Sequence, residues 1–220
     1  MAHAVYVFDA YGTLFDVHAA VRRHADAIGA DAQRISEIWR QKQLEYSWVR
    51  ALMGRYVDFW SLTEQGLDFA LTKVPDADPD LRERLLDAYR HLDCYPEVPK
   101  VLTALREKGA RLAILSNGSP AMLESAASSA GIADLFEEIV SVDEIRTYKT
   151  AEAVYELVTT RFKVFPEAVS FQSSNRWDIA GATAFGFRSV WLNRTAQPDE
   201  YKDLPPAAVL PSLDGLLTLT

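Results

Sequence analysis

Cysteine is almost absent from this chain: Cys94 stands alone among 220 residues, so an internal disulfide and a cysteine-rich metal site are both excluded. That scarcity suits a reducing compartment, and the cytoplasm is the expected location. Positive charge is also in short supply. With 23 Lys and Arg against 31 Asp and Glu, the net charge is -8, which argues against general binding to nucleic acid or an anionic membrane, since either needs a basic face. No apolar run approaches the roughly 20 residues of a membrane span. From Met1 the sequence runs directly into an apolar strand, without the cationic region and small-residue cleavage site of a leader. Internal repeats and low-complexity tracts are missing too. What is present is hydrophobic material, 49% of the residues, enough to bury a sizeable core in one domain or in one domain with an inserted module.

Short apolar runs rich in β-branched residues recur after helical stretches: Val5 to Phe8, Arg111 to Leu115, Glu138 to Val142, Ala168 to Gln172 and Arg188 to Leu192. Five such strands alternating with helices predict an α/β fold, a doubly wound parallel sheet. The helix over Pro96 to Lys108 has Val98, Val101, Leu102 and Leu105 on one face and Gly109 as its expected C-cap. The interval from Val17 to Leu92 breaks the alternation. It holds no convincing strand and reads as four or so helices, with Ile35, Ile38, Trp39, Tyr46, Val49 and Leu52 as an apolar stripe. We therefore expect a Rossmann-like core from residues 1–16 and 93–220, and an inserted helical cap subdomain from residues 17–92. Pro75 to Pro79 reads as a turn between cap helices, and Pro198 to Pro211 as a loop.

The strand ends carry the chemistry. Val5-Tyr6-Val7-Phe8 stops abruptly at Asp9, followed by a glycine turn and Thr13; the carboxyl edge of a parallel sheet is where such folds bind ligands. The second strand ends in Ser116-Asn117-Gly118, the third is followed by Lys149, and the fourth by Ser173-Ser174-Asn175-Arg176-Trp177-Asp178. Each has a structural reading when taken singly. Asp9 can be a turn residue, Ser116-Asn117-Gly118 a plain turn, Lys149 a solvated lysine, Asp178 an acid favoured early in a helix, and Arg40 a surface partner of Glu37. Their ordered co-occurrence at strand after strand favours function.

These residues resemble the haloacid dehalogenase superfamily, and within it the L-2-haloacid dehalogenases, over nearly the whole chain. The resemblance rests on Phe8-Asp9-Ala10-Tyr11-Gly12-Thr13-Leu14-Phe15-Asp16, on Trp39-Arg40-Gln41-Lys42-Gln43-Leu44-Glu45-Tyr46-Ser47-Trp48, on Leu115-Ser116-Asn117-Gly118, on Tyr148-Lys149, and on Ser173-Ser174-Asn175-Arg176-Trp177-Asp178. The cap sequence and the last segment are the most specific. Superfamily phosphatases usually carry a second Asp two positions after the nucleophile, and a carboxylate near the fourth strand to hold Mg²⁺. Here Tyr11 and Ser173-Ser174-Asn175 stand there. Halide leaves as a stable anion and needs no general acid, so both departures point from phosphorus to carbon. No metal and no other cofactor is expected.

The resemblance implies a mechanism. Asp9 displaces halide with inversion and forms an ester that water then hydrolyses, converting short L-2-haloalkanoic acids or haloacetates to 2-hydroxy acids. It assigns catalytic roles to Asp9, Thr13, Arg40, Ser116, Lys149, Ser173, Asn175 and Asp178. Ala10, Tyr11, Arg40, Gln41, Leu44, Phe59, Ser116, Asn117, Tyr155 and Trp177 are implied to bind substrate and halide. The expected partners are the small-molecule 2-haloacid and its halide product, with no nucleic acid and no membrane. A homodimer is implied as well, for which Trp48, Tyr56 and Trp60 are either interface or core. Two departures are Thr150, where relatives carry a proline after the lysine, and Gln172, where an aliphatic residue is usual. The competing readings are a Mg-dependent phosphatase of the same superfamily and a non-catalytic small-anion binder.

Overall fold

Every residue of β1 (Val5–Phe8) is buried, as an all-apolar strand must be when helices cover both faces of a parallel sheet. The computed structural model describes residues 5–74, 78 and 80–219. Its strands β2 (Arg111–Ser116), β3 (Glu138–Ser141), β4 (Val169–Ser173), β5 (Arg188–Leu192) and β6 (Ala208–Leu210) join β1 in one sheet of order β3-β2-β1-β4-β5-β6. All neighbours are parallel, with Phe8 opposite Ile114 on one side and Gln172 on the other. The strand order reverses direction between β1 and β4, which opens the crevice at their carboxyl ends. Asp9 lies at that point.

The sheet has one strand more than the sequence predicts. β6 falls inside the segment read as a loop, where Ala208-Val209-Leu210 is too short to register as a pattern and follows two prolines. Such a strand is tolerated at a sheet edge, and Val209 is 53% exposed.

Between residues 17 and 92 the described elements are all helical: α1 (Ala19–Arg22), α2 (Ala25–Ile28), α3 (Ala32–Met53), α4 (Phe59–Leu71) and α5 (Leu81–Arg90). Of the expected Pro75 to Pro79 turn only Asp78 is described. The helices α6 (Val98–Glu107), α7 (Pro120–Ser129), α8 (Glu152–Phe162) and α9 (Arg176–Phe185) alternate with the strands. The long α3 ends at Gly54, whose φ of 62° supplies the left-handed residue that terminates a helix. Its packing on α4 is polar as well as apolar. Trp39 donates its indole N–H to the Thr63 carbonyl at 2.8 Å, and Gln43 donates to the Thr63 hydroxyl at 3.0 Å.

The expected stripe on α3 needs correction. Ile35 and Trp39 are buried, and Ile38 and Tyr46 half-buried against the core, but Val49 is 46% and Leu52 88% exposed. The buried face is continued instead by Gln43 and Ser47, because α4 offers Gln43 the Thr63 hydroxyl and Ser47 donates to Leu44 O on its own helix. Tyr56 and Trp60 likewise pack against the core rather than standing exposed. The chain enters and leaves the helical segment through adjacent extended pieces: Asp16 N donates to Asp93 O at 3.0 Å and Tyr95 N to Leu14 O at 2.9 Å.

Candidate active site

Asp9 directly follows β1, and its own N–H still bonds the β4 neighbour Gln172 O at 2.9 Å. Gly12, with a φ of 94°, turns the chain sharply enough for Thr13, Leu14 and Phe15 all to donate to the Ala10 carbonyl. The turn delivers the Thr13 hydroxyl to Asp9 Oδ2 at 2.9 Å. Asn175 Nδ2 reaches the same oxygen at 2.8 Å and Ser173 Oγ at 3.4 Å. The other oxygen, Oδ1, meets Lys149 Nζ at 3.0 Å. Asp9 is thus held on both sides while only 5% exposed.

Lys149 sits on the loop between β3 and α8, fully withdrawn from solvent. Its Nζ bridges Asp9 Oδ1 and Asp178 Oδ2, the latter at 2.8 Å. Burial opposes the ammonium charge, but Asp178 and Asp9 more than offset it and hold its pKa above the ordinary lysine value. Its backbone N–H is fixed by Asn117 Oδ1 at 3.0 Å, and the following Lys149–Thr150 peptide is cis. Asp178, on the first turn of α9, is also fully buried. Burial pushes it up to about 6, with Lys149 pulling down and Asp9 pushing up. Tyr155 of α8 donates its hydroxyl to Asp178 Oδ1 at 2.9 Å, and burial, followed by the Asp178 charge, raises the phenol well above its usual range.

The remaining residues singled out in the sequence surround this centre to different degrees. Arg40 does not pair with Glu37; it crosses from α3 to donate to Tyr11 O at 3.1 Å and Asn175 Oδ1 at 3.3 Å. It thereby turns the Asn175 amide so that its nitrogen faces Asp9. Ser116 is buried at the end of β2, its hydroxyl accepting from Gly118 N. Tyr11 and Phe59 are buried neighbours with ring centroids 6.4 Å apart. Trp177 meets Trp48 edge to face at 5.5 Å, and both line a groove of about 820 Å³ that also reaches Lys149. Gln41 and Leu44 lie further out, beside the Arg40 stem in a second depression. Gln172 is fully buried, donating to Ser170 Oγ at 2.6 Å.

The sequence motifs leave out Arg194 and Tyr89 and include Tyr148 only beside Lys149. Arg194, just after β5, donates to Thr13 O at 3.1 Å, pairs with Glu97 at 2.6 Å and stacks on Tyr95. As a polar residue at a strand end, it carried the same signal as the others. Tyr148 donates to Val57 O, tying the loop before α4 to the lysine loop. Tyr89 stacks on Tyr11, and nothing local marks it.

The donor set is a poor one for a divalent cation. The two carboxylates that would converge on it are already bridged by an ammonium group, and the neighbouring position offers the Asn175 amide. Adding two positive charges beside Lys149 would cost more than the remaining oxygens return. Among the described residues no group of three or more His, Cys, Asp or Glu could hold a metal ion, and no helix is long and apolar enough to cross a membrane.

A model of the haloacid dehalogenase-like hydrolases matches residues 3–186. The (S)-2-haloacid dehalogenase 1 of Pseudomonas sp. (strain CBS-3) is 49% identical over 96% of this chain and 93% of its own. A crystal structure of a dehalogenase superposes with a TM-score of 0.97 at 43% identity, covering 100% of this chain and 97% of that one. The L-2-haloacid dehalogenase of Xanthobacter autotrophicus, with chloropropionic acid covalently bound, superposes with a TM-score of 0.91 at 36% identity, covering 99% and 98%.

Proposed function

The chain belongs to the haloacid dehalogenase-like hydrolase family, and from that premise we propose that it hydrolyses short L-2-haloalkanoic acids, or haloacetates, to 2-hydroxy acids with inversion. The observation that carries this reading is the unequal treatment of the two Asp9 oxygens. Oδ2 faces the donors Thr13, Ser173 and Asn175, whereas Oδ1 meets Lys149 alone. Oδ1 therefore keeps a lone pair to attack the halogen-bearing carbon. The new bond is Oδ1 to carbon, and the carbon–halogen pair leaves as halide. Lys149 orients the Asp9 carboxylate until then. Oδ2 is now the ester carbonyl oxygen. When water attacks Cγ, negative charge develops on Oδ2, where three donors are already in place.

Asp178 accepts the proton from that water and returns it to Oδ1 as the bond from Cγ to Oδ1 breaks, releasing the hydroxy acid. Tyr155 steadies Asp178 from its other oxygen. Ser116 and the N–H groups of Ala10 and Tyr11 hold the substrate carboxylate. Arg40, Asn117 and Trp177 receive the halide, and Tyr11, Gln41, Leu44, Phe59 and Trp177 surround the alkyl group. In this scheme residues 17–92 act as a cap on a core of residues 1–16 and 93–220, and supply Arg40 when the site is closed to bulk water. The enzyme works without a cofactor, in the cytoplasm, as a homodimer.

Single turnover in heavy-oxygen water tests the ester route. Unlabelled 2-hydroxy acid in the first turnover is the expected result, since its oxygen comes from Asp9 Oδ1, and Asp9→Asn should release no halide. Label in the first product would remove the ester from the mechanism. Phosphate release from a generic phosphate ester, abolished by EDTA and accompanied by no halide release from any haloacid, would return the chain to the phosphatases.

A further inference from the structure

Tyr89 lies on α5, only 2% exposed, and takes no part in the chemistry described above. Its ring is parallel to that of Tyr11, with centroids 5.7 Å apart and planes 11° apart. Trp39 packs at a tilt against Tyr89, with centroids 5.0 Å and planes 44° apart, and Trp39 is itself pinned by the hydrogen bond to Thr63 O. The Tyr89 hydroxyl is only 3.5 Å from Gln43 Oε1, at the outer limit of a hydrogen bond, so the ring rather than the hydroxyl is its main contribution. At the edge of Tyr11, a Cβ built on Gly118 would stand 2.7 Å from Cε2. Tyr11 is therefore held between the β2 turn and an aromatic column rooted in α3 and α4. A close-packed column of this kind does not yield gradually.

We propose that Tyr89 is a specificity-determining residue: with Trp39 packed against it, its ring limits how far Tyr11 can withdraw, and so sets the longest alkyl group the site admits. The proposal rests on the reading of Tyr11 as a wall of the alkyl pocket. Tyr89 acts through Tyr11, so its loss changes which substrate is preferred rather than whether the displacement occurs. Shortening the side chain leaves space behind Tyr11, and the Tyr11 ring can move into it when a longer substrate presses from the front. Short substrates gain nothing from that space. One methylene accommodated or refused in an apolar pocket changes selectivity by about 10–200-fold.

The test is the ratio of kcat/KM for (S)-2-chlorobutanoate to that for chloroacetate, measured by halide release on the purified full-length enzyme and on Tyr89→Phe, Tyr89→Met and Tyr89→Val. The ratio should rise about tenfold in Tyr89→Val, rise less in Tyr89→Met, and stay within about twofold of the parent in Tyr89→Phe, which keeps the ring. Methionine adapts to irregular space, so Tyr89→Met carries the test if the valine variant does not fold. An unchanged ratio in a variant that unfolds cooperatively overturns the proposal, and so does a shift in Tyr89→Phe as large as in Tyr89→Val. If the parent releases halide from none of these acids, the dehalogenase reading falls and takes this one with it; an unchanged ratio in an active enzyme overturns this one alone.

Discussion

In the proposed mechanism Asp178 must be ionised to take a proton from water, and burial pushes its pKa up to about 6. The rate of ester hydrolysis should therefore rise with pH through about 6 and level off above it. Lys149 titrates above the ordinary lysine value, so the alkaline limb lies beyond the range in which a solvated lysine would lose its charge. The hydrogen bond from Tyr155 lowers the Asp178 pKa by favouring the carboxylate. Tyr155→Phe removes that donor, and the acid limb of kcat should move to higher pH. A pH–rate profile of the variant that overlays the parent would show that Tyr155 does not tune Asp178. Asp9 and Ser116 were legible in the sequence because each closes an apolar run at a strand end, whereas Lys149, on the loop after β3, and Asp178, in the first turn of α9, stood out only through the motifs that contain them. Tyr89 was not, since a tyrosine on an amphipathic helix reads as ordinary core until its neighbour is known to be Tyr11.

Helix α9 illustrates how an element carries a constraint that no motif declares. Gly181 lies one turn after Asp178, and a Cβ there would overlap the Tyr155 hydroxyl and stand 2.9 Å from Thr150 Cβ. Alanine favours a helix interior over glycine by about 1 kcal/mol, but overpacking a filled site costs about 1–3 kcal/mol, so the clash wins. Gly181→Ala should lower stability in urea unfolding and, by displacing Tyr155, shift the acid limb in the same direction as Tyr155→Phe. A variant more stable than the parent with an unchanged pH profile would mean that α8 gives way freely. Helix α3 is the instructive departure. Its apolar periodicity was real, yet Val49 and Leu52 face outward while Gln43 and Ser47 are buried. Periodicity identifies a face only where the partner is apolar, and α4 presents Thr63 instead.

Between the helical segment and the sheet, the contacts that span the site include Arg40 to Tyr11 and Asn175, Trp48 to Trp177, Tyr56 to Asp143, and Tyr148 to Val57. Beside them α3 leaves Trp48, Val49, Leu52 and Met53 exposed in one stretch, an apolar surface of the kind that a second subunit covers. In the proposed homodimer this surface lies in the interface, so Leu52→Glu should shift the species seen by sedimentation velocity from dimer to monomer. A parent that sediments as a monomer, or a variant that stays dimeric, would place the interface elsewhere or remove it.

The sequence by itself determined the α/β class, the parallel strands that end in polar residues and the strand-free helical interval, because these follow from local periodicity and from which residue types can terminate a buried strand. Only the tertiary structure decided that Lys149 lies between Asp9, 140 positions away, and Asp178, that the two Asp9 oxygens have different partners, and that Tyr89 stands behind Tyr11. These are distances across the sheet order and between packed helices. They depend on which elements become neighbours, a choice made by the whole core at once.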